Sequence, residues 1–331
     1  MNWKGHEMNK KVLKIGLPPV RNGQDYAFPA AILSSDISFR NWYLSNLIQI
    51  YSIPVNNRFK ISYYYLGLNP NPTKYMPFFD YQVLEMNFVK KAFNSIIDFT
   101  IAMIDMDYYC FMILNEYYLP CKDSYMTQKF EHGVLVYGYD LENQNIYISG
   151  YNKSDYFGFD TISFSEYESA FLYTKRNESI ICMKRNSFEY DFDLCLMKGL
   201  LKDFIYSYNT SLNYRMIRNP LTNCNWGIEA FKDIMDISVK TLNYRYFYTI
   251  YEYTLIMLER LNICQKVDNV DLSSEIVACT GISRKFYSLL LTSLKSNFKE
   301  FNDNKLLRVQ KQLENYLSEF KIVLLNFYNK I

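Results

Sequence analysis

Histidine occurs only twice in this chain, at His6 and His132. His132 opens the stretch Glu131-His132-Gly133-Val134-Leu135-Val136-Tyr137-Gly138-Tyr139-Asp140, an apolar run that closes on Gly-Tyr-Asp. Imidazole is the side chain that gives and takes a proton most readily near neutrality, so His132 is the candidate general base. Such a base supports acyl transfer when it has a nucleophile to deprotonate and a carboxylate or amide to orient it. Cys121, which follows Pro120, is a candidate nucleophile. Asp140 is expected to bond its own hairpin backbone as a turn residue. Asp105 and Asp107 straddle Met106. On a strand these two share a face, which marks either a metal or substrate site or a solvated strand end.

The elements that must hold these residues can be read from periodicity. Residues 1 to about 26 form a polar tail leading to a first strand. Ser34-Ser35-Asp36 supplies capping side chains for a helix over 39–51, because Leu44, Leu47, Ile48 and Tyr51 fall at i, i+3, i+4 and i+7. Pro54 closes that helix. Strand chemistry follows at 60–66, turn chemistry at Asn69-Pro70-Asn71-Pro72, helical spacing at 84–97, and strand-like runs at 100–104 and 108–114. The strand 132–137 pairs with 145–150 as an antiparallel hairpin around Asp140 to Gln144. Ser163 and Glu166 form a capping box, and 180–188 is a further strand. Beyond 191 the spacing is helical at 193–208, 225–240, 244–263, 283–301 and 305–329. The expected class is therefore α+β, with an antiparallel sheet over 1–175 and an all-α region over 176–331.

Composition narrows the function classes. Hydrophobic residues make up 49% and charged residues 21%, which is globular rather than disordered. The 36 basic and 34 acidic side chains are interspersed and leave a net charge of +2, which argues against a nucleic-acid or membrane surface. The 32 Tyr and 24 Phe include the runs Tyr63-Tyr64-Tyr65, Tyr117-Tyr118 and Tyr244 to Tyr253, which pack a core or line an acyl pocket. The seven cysteines never take a CxxC spacing, so they read as reduced thiols of a cytoplasmic protein and not as zinc ligands. No cofactor, signal peptide or membrane span is expected.

Three pieces of the chain resemble the family of butirosin biosynthesis protein H, whose papain-like N-terminal domain lies near the C39 peptidases. Leu44, Asn46, Leu47 and Ile48 resemble its first helix, and His132 to Asp140 resembles its H-x-x-x-V-x-G-Y-D strand. Trp226 to Phe231 and Thr280 to Leu290 resemble segments of its helical domain. The resemblance spans nearly the whole chain in short, degenerate pieces. It implies acyl transfer from a carrier-protein thioester to a small-molecule amine in natural-product biosynthesis, with an acyl or peptidyl carrier protein as partner. It implies a thiolate at the start of the first helix, yet alignment puts Phe39 there, with Ser38 before it as the candidate nucleophile and no cysteine before Cys110. It also implies a residue that orients His132 after the hairpin, where Asn152 stands, with Asp155 further along. Phe39, Trp42 and Cys121 then become candidate substrate-lining residues. A catalytically inactive relative that binds a partner protein or small ligand through the same cleft is the alternative. The apolar breadth of the helical half suits a homodimer.

Overall fold

The computed structural model describes residues 9–21, 23–55, 58–63, 76–153, 157–176, 179–213, 223–233, 244–267, 269–296 and 302–331. The turn at 69–72, residues Tyr64 and Tyr65, and the end of the helix expected over 225–240 lie outside them. The chain groups into two compact units. One comprises residues 1–39 and 71–189, the other 40–70 and 190–331.

The first unit is built on a seven-stranded antiparallel sheet. Its strands are β1 (Lys10–Val12), β4 (Phe79–Glu85), β5 (Tyr109–Asn115), β6 (Glu131–Asp140), β7 (Asn145–Tyr151), β8 (Phe157–Ser163) and β9 (Ser179–Arg185). The order is β4-β9-β5-β6-β7-β8, with β1 pairing the far end of β6 through Lys10↔Asp140 to Val12↔Gly138. The α+β expectation holds, and so do the hairpin of β6 and β7 and the strand at β9.

Strand alternation sorts the side chains of the sheet to its two faces. Cys110, Met112 and Leu114 of β5 join Val134 and Val136 of β6 in one core. Helices α3 (Met86–Ala92), α4 (Ile96–Asp105) and α5 (Phe164–Leu172) supply Val89, Phe99 and Tyr167 to that core. Phe111 points the other way and meets Phe28 of helix α1 (Gln24–Ile32), which also meets Phe157.

Four local expectations need correction. The first strand, β1, lies within the expected tail, and where that tail is expected to lead into a strand stands α1, whose seven residues from Tyr26 to Ile32 are all buried and which carries Pro29 inside it. The run 100–104 is not a strand but the middle of α4, capped by Ser95 Oγ accepting from Asp98 N. A continuous apolar run carries no period, so it does not separate a buried helix from a buried strand. The run expected as one helix over 84–97 contains the end of β4, the short α3 and the start of α4. Finally, helix α2 (Ile37–Asn46) stops well before Pro54, and Tyr51 and Pro54 lie in strand β2 (Ile50–Val55).

The second unit holds β2, β3 (Arg58–Tyr63) and β10 (Asn225–Trp226) as a small antiparallel sheet. Helices α6 (Leu194–Tyr206), α7 (Gly227–Lys232), α8 (Tyr244–Val267), α9 (Ser273–Ser296) and α10 (Asp303–Lys330) complete it. Arg260 of α8 is fully buried and donates to the carbonyls of Tyr43, Leu44 and Leu47 at the end of α2. A guanidinium there satisfies carbonyls that a helix C-terminus leaves without intrahelical partners. Among the described residues no helix is long and apolar enough to cross a membrane.

Candidate functional site

His132 is the second residue of β6, paired in register with Leu114 of β5. Its Nδ1 lies 3.3 Å from Oε1 of Glu116, the first residue of a 3₁₀ turn that follows β5. That turn is well specified. Asn115 Oδ1 accepts from Tyr117 N, the Asn115 amide donates to the Tyr173 carbonyl, and Glu116 N donates to the Phe130 carbonyl. The His132 ring also meets Phe130 at 5.5 Å and Tyr151 at 6.2 Å between centroids. Its side chain is 30% exposed while that of Glu116 is 7% exposed, so the imidazole is the end of the pair that reaches solvent.

Behind Glu116 stands Lys122, 1% exposed. Its Nζ is 3.8 Å from Glu116 Oε1 and donates to the Tyr151 carbonyl at 2.5 Å and to Asn152 Oδ1 at 3.1 Å. The Asn152 amide in turn donates to Asp160 Oδ2. Burial pulls the Lys122 ammonium below the ordinary lysine range, although Glu116 works to hold it charged. Burial likewise pushes the Asp160 carboxyl up, against Lys122 and Lys153. The result is a continuous line from Asp160 through Asn152 and Lys122 to Glu116 and His132.

Asn152 therefore does not orient His132. Both ends of its amide are occupied by Lys122 and Asp160, and the group beside the imidazole is Glu116. Asp155, the more distant candidate for that role, lies outside the described residues.

Ser38 and Phe39 begin α2, where Phe39 N donates to the capping Asp36 Oδ1 at 3.1 Å. Phe39 is buried edge-on against Phe78 at 5.8 Å. No hydrogen bond joins Ser38 to His132, and the partners of the His132 ring are other residues. Trp42 groups with the second unit, where it is buried and its carbonyl accepts from Asn46 Nδ2. Cys121 neighbours Lys122 and accepts from Lys153 N through its carbonyl. Burial is the main cause that raises its thiol to about 11, so it is protonated at neutral pH and a poor nucleophile.

Helix α1 reaches the His132 end of β6. Gln24 Oε1 accepts from Gly133 N at 3.1 Å, and a Cβ at position 133 would stand 2.2 Å from that oxygen and 2.6 Å from the Phe111 ring. Glycine at 133 is what permits this approach.

Asp105 and Asp107 share no strand face. Asp105 ends α4, accepting from Tyr139 Oη at 2.6 Å, while Asp107 has φ +68° and pairs with Lys11 at 2.8 Å. Among the described residues no three His, Cys, Asp or Glu side chains gather as a metal site.

Sequence reasoning missed Glu116, Lys122, Gln24 and Asp160. Lys122 stands in Pro-Cys-Lys-Asp-Ser, a composition that reads as an exposed loop, and only the packing of Tyr151 and Asn152 over it makes it buried.

No protein-family model matches the chain, and no curated protein matches it.

Chemically, the arrangement offers a partly exposed imidazole with a buried carboxylate at one of its nitrogens. It can accept a proton and have the resulting charge compensated. Among the described residues, no cysteine thiol or serine or threonine hydroxyl is paired with that base.

Proposed function

We propose that the protein transfers an acyl group from a carrier-bound thioester to an amine, with His132 as general base and no acyl-enzyme intermediate. The observation that carries this reading is the pairing of His132 Nδ1 with the buried Glu116 carboxylate on a side chain that is itself 30% exposed, which leaves Nε2 as the nitrogen not engaged by Glu116. The amine attacks the thioester carbonyl and its proton passes to Nε2. The carbon–sulfur bond then breaks and the departing thiolate takes that proton from the imidazolium to leave as the thiol. A thioester is reactive enough for orientation and a base to suffice. The likeness of His132 to Asp140 to the butirosin biosynthesis protein H strand, and the antiparallel sheet that carries it, support the same chemistry. They also support an acyl or peptidyl carrier protein as partner in natural-product biosynthesis.

The test is turnover of acyl-carrier thioesters with candidate amines. His132→Ala is expected to lower kcat by about 10²–10⁴-fold, the usual worth of a general base. Glu116→Gln is expected to lower it less, because the imidazole remains. Equal turnover by His132→Ala and the unaltered chain would exclude the base.

A second reading rests on a separate observation. Phe39, aligned where the resemblance calls for a thiolate, is packed against Phe78, and the Cys121 thiol is protonated. On this reading the chain binds a partner protein or small ligand without turning it over. Absence of product from every thioester, with carrier protein still binding in calorimetry, would favour it.

A further inference from the structure

Two cysteines that the site does not use face each other inside the sheet. Cys110 of β5 and Cys182 of β9 are direct antiparallel partners, both fully buried, with their sulfur atoms 3.6 Å apart. They sit in the apolar core with Met112, Val136 and Ile180. A disulfide needs a sulfur–sulfur distance of about 2.0 Å and a narrow range of backbone separations, which directly paired strands already approach. The surroundings are apolar, so a bridge there would strand no polar atom.

We infer that Cys110 and Cys182 form a reversible redox site, a dithiol that becomes a cross-strand disulfide when a low-molecular-weight disulfide such as oxidised glutathione is the oxidant. One thiol loses its proton and attacks the glutathione disulfide, releasing one glutathione and leaving a mixed disulfide. The second thiol loses its proton and attacks that mixed disulfide at the protein sulfur, releasing the other glutathione. Two electrons pass from the cysteine pair to the oxidant, which leaves as two thiols, and one sulfur–sulfur bond forms in the protein. This assignment is independent of the acyl-transfer reading.

Two features set its behaviour. Burial and the neighbouring Cys182 push the Cys110 thiol well above its ordinary range, so the closed sheet is unreactive. Strands β5 and β9 are paired over only three residues, from Tyr109↔Met183 to Phe111↔Ile181, and both sulfurs lie in the helix-covered core, so oxidation waits on local opening of that core. Once formed, the bridge closes a long loop between residues 110 and 182 and restricts the unfolded chain.

The full chain is incubated in glutathione redox buffers containing urea below the unfolding transition, quenched in acid and mapped by mass spectrometry. The expected result is the loss of two hydrogen masses, a linked peptide pair containing Cys110 and Cys182, and a higher urea midpoint. Dithiothreitol reverses all three, and Cys182→Ala shows none. The inference is overturned by links that omit either residue, by a glutathione adduct that persists on Cys110, or by no mass loss at any ratio. An unchanged or lower midpoint of the linked protein also overturns it. The mapping on the unaltered chain decides the question even where Cys182→Ala folds poorly.

Discussion

Lys122 is the residue whose role depends most on its surroundings. An ammonium with 1% exposure survives in the interior only because its donors are taken by the Tyr151 carbonyl and Asn152 Oδ1, with Glu116 as counter-charge. Removing one partner of a buried ion pair leaves the other unpaired, which costs about 3–5 kcal/mol. Lys122→Met is therefore expected to destabilise the protein by about that amount in urea unfolding. Lys122→Met combined with Glu116→Leu should recover most of the loss, since no buried carboxylate is then left without its cation. A double variant no more stable than the single one would show that Glu116 is not what makes Lys122 necessary. The identities of His132 and Asn152 were legible as chemistry-bearing residues. Their relation was not, because it runs through Lys122, a residue type that sequence reasoning assigns to the surface.

The β6–β7 hairpin is the element on which sequence and structure agree most closely. Gly-Tyr-Asp ends one strand, and Asp140 takes the expected turn role, accepting from Asn143 N at 3.0 Å and from Asn143 Nδ2 at 3.1 Å. Those two bonds from Asn143, followed by Lys10 across β1, hold the Asp140 carboxyl down to about 2. A carboxylate whose pKa is lower folded than unfolded stabilises the fold above its unfolded pKa and loses that contribution as pH falls through the folded value. Asp140→Asn is expected to lower the thermal midpoint at neutral pH and to flatten its decline between roughly pH 4 and pH 2. An unchanged acid limb would show that the turn is held by its backbone alone. Two of the elements misread from sequence, α1 and α4, share one cause. In α1 and α4 nearly every side chain is buried, so neither presents the polar face from which a helical period is recognised. The capping box of α5, by contrast, was legible because Ser163 and Glu166 act only on neighbouring backbone.

At the scale of the whole molecule, the chain leaves the sheet-bearing unit at residue 39 and rejoins it at residue 71. The intervening segment supplies strands β2 and β3 and the α2 carbonyls that Arg260 holds. A fragment of residues 176–331 would keep Arg260 and lose every one of those acceptors, and β10 would lose β2. It is expected to give no cooperative urea transition by circular dichroism, whereas the full chain does; a cooperative transition in the fragment alone would refute this. The amino-acid sequence by itself determined the α+β class, the long helices beyond residue 191, the hairpin with its Asp140 turn and the capping box. Each of these follows from local chemistry or from a period that repeats within one element. Only the tertiary structure decided that Glu116 rather than Asn152 stands beside His132, that Lys122 is buried, that Phe39 packs on Phe78 and that Cys110 faces Cys182. Those facts are set by contacts between residues distant in the chain, where burial and strand register choose the partners and no sequence spacing encodes them.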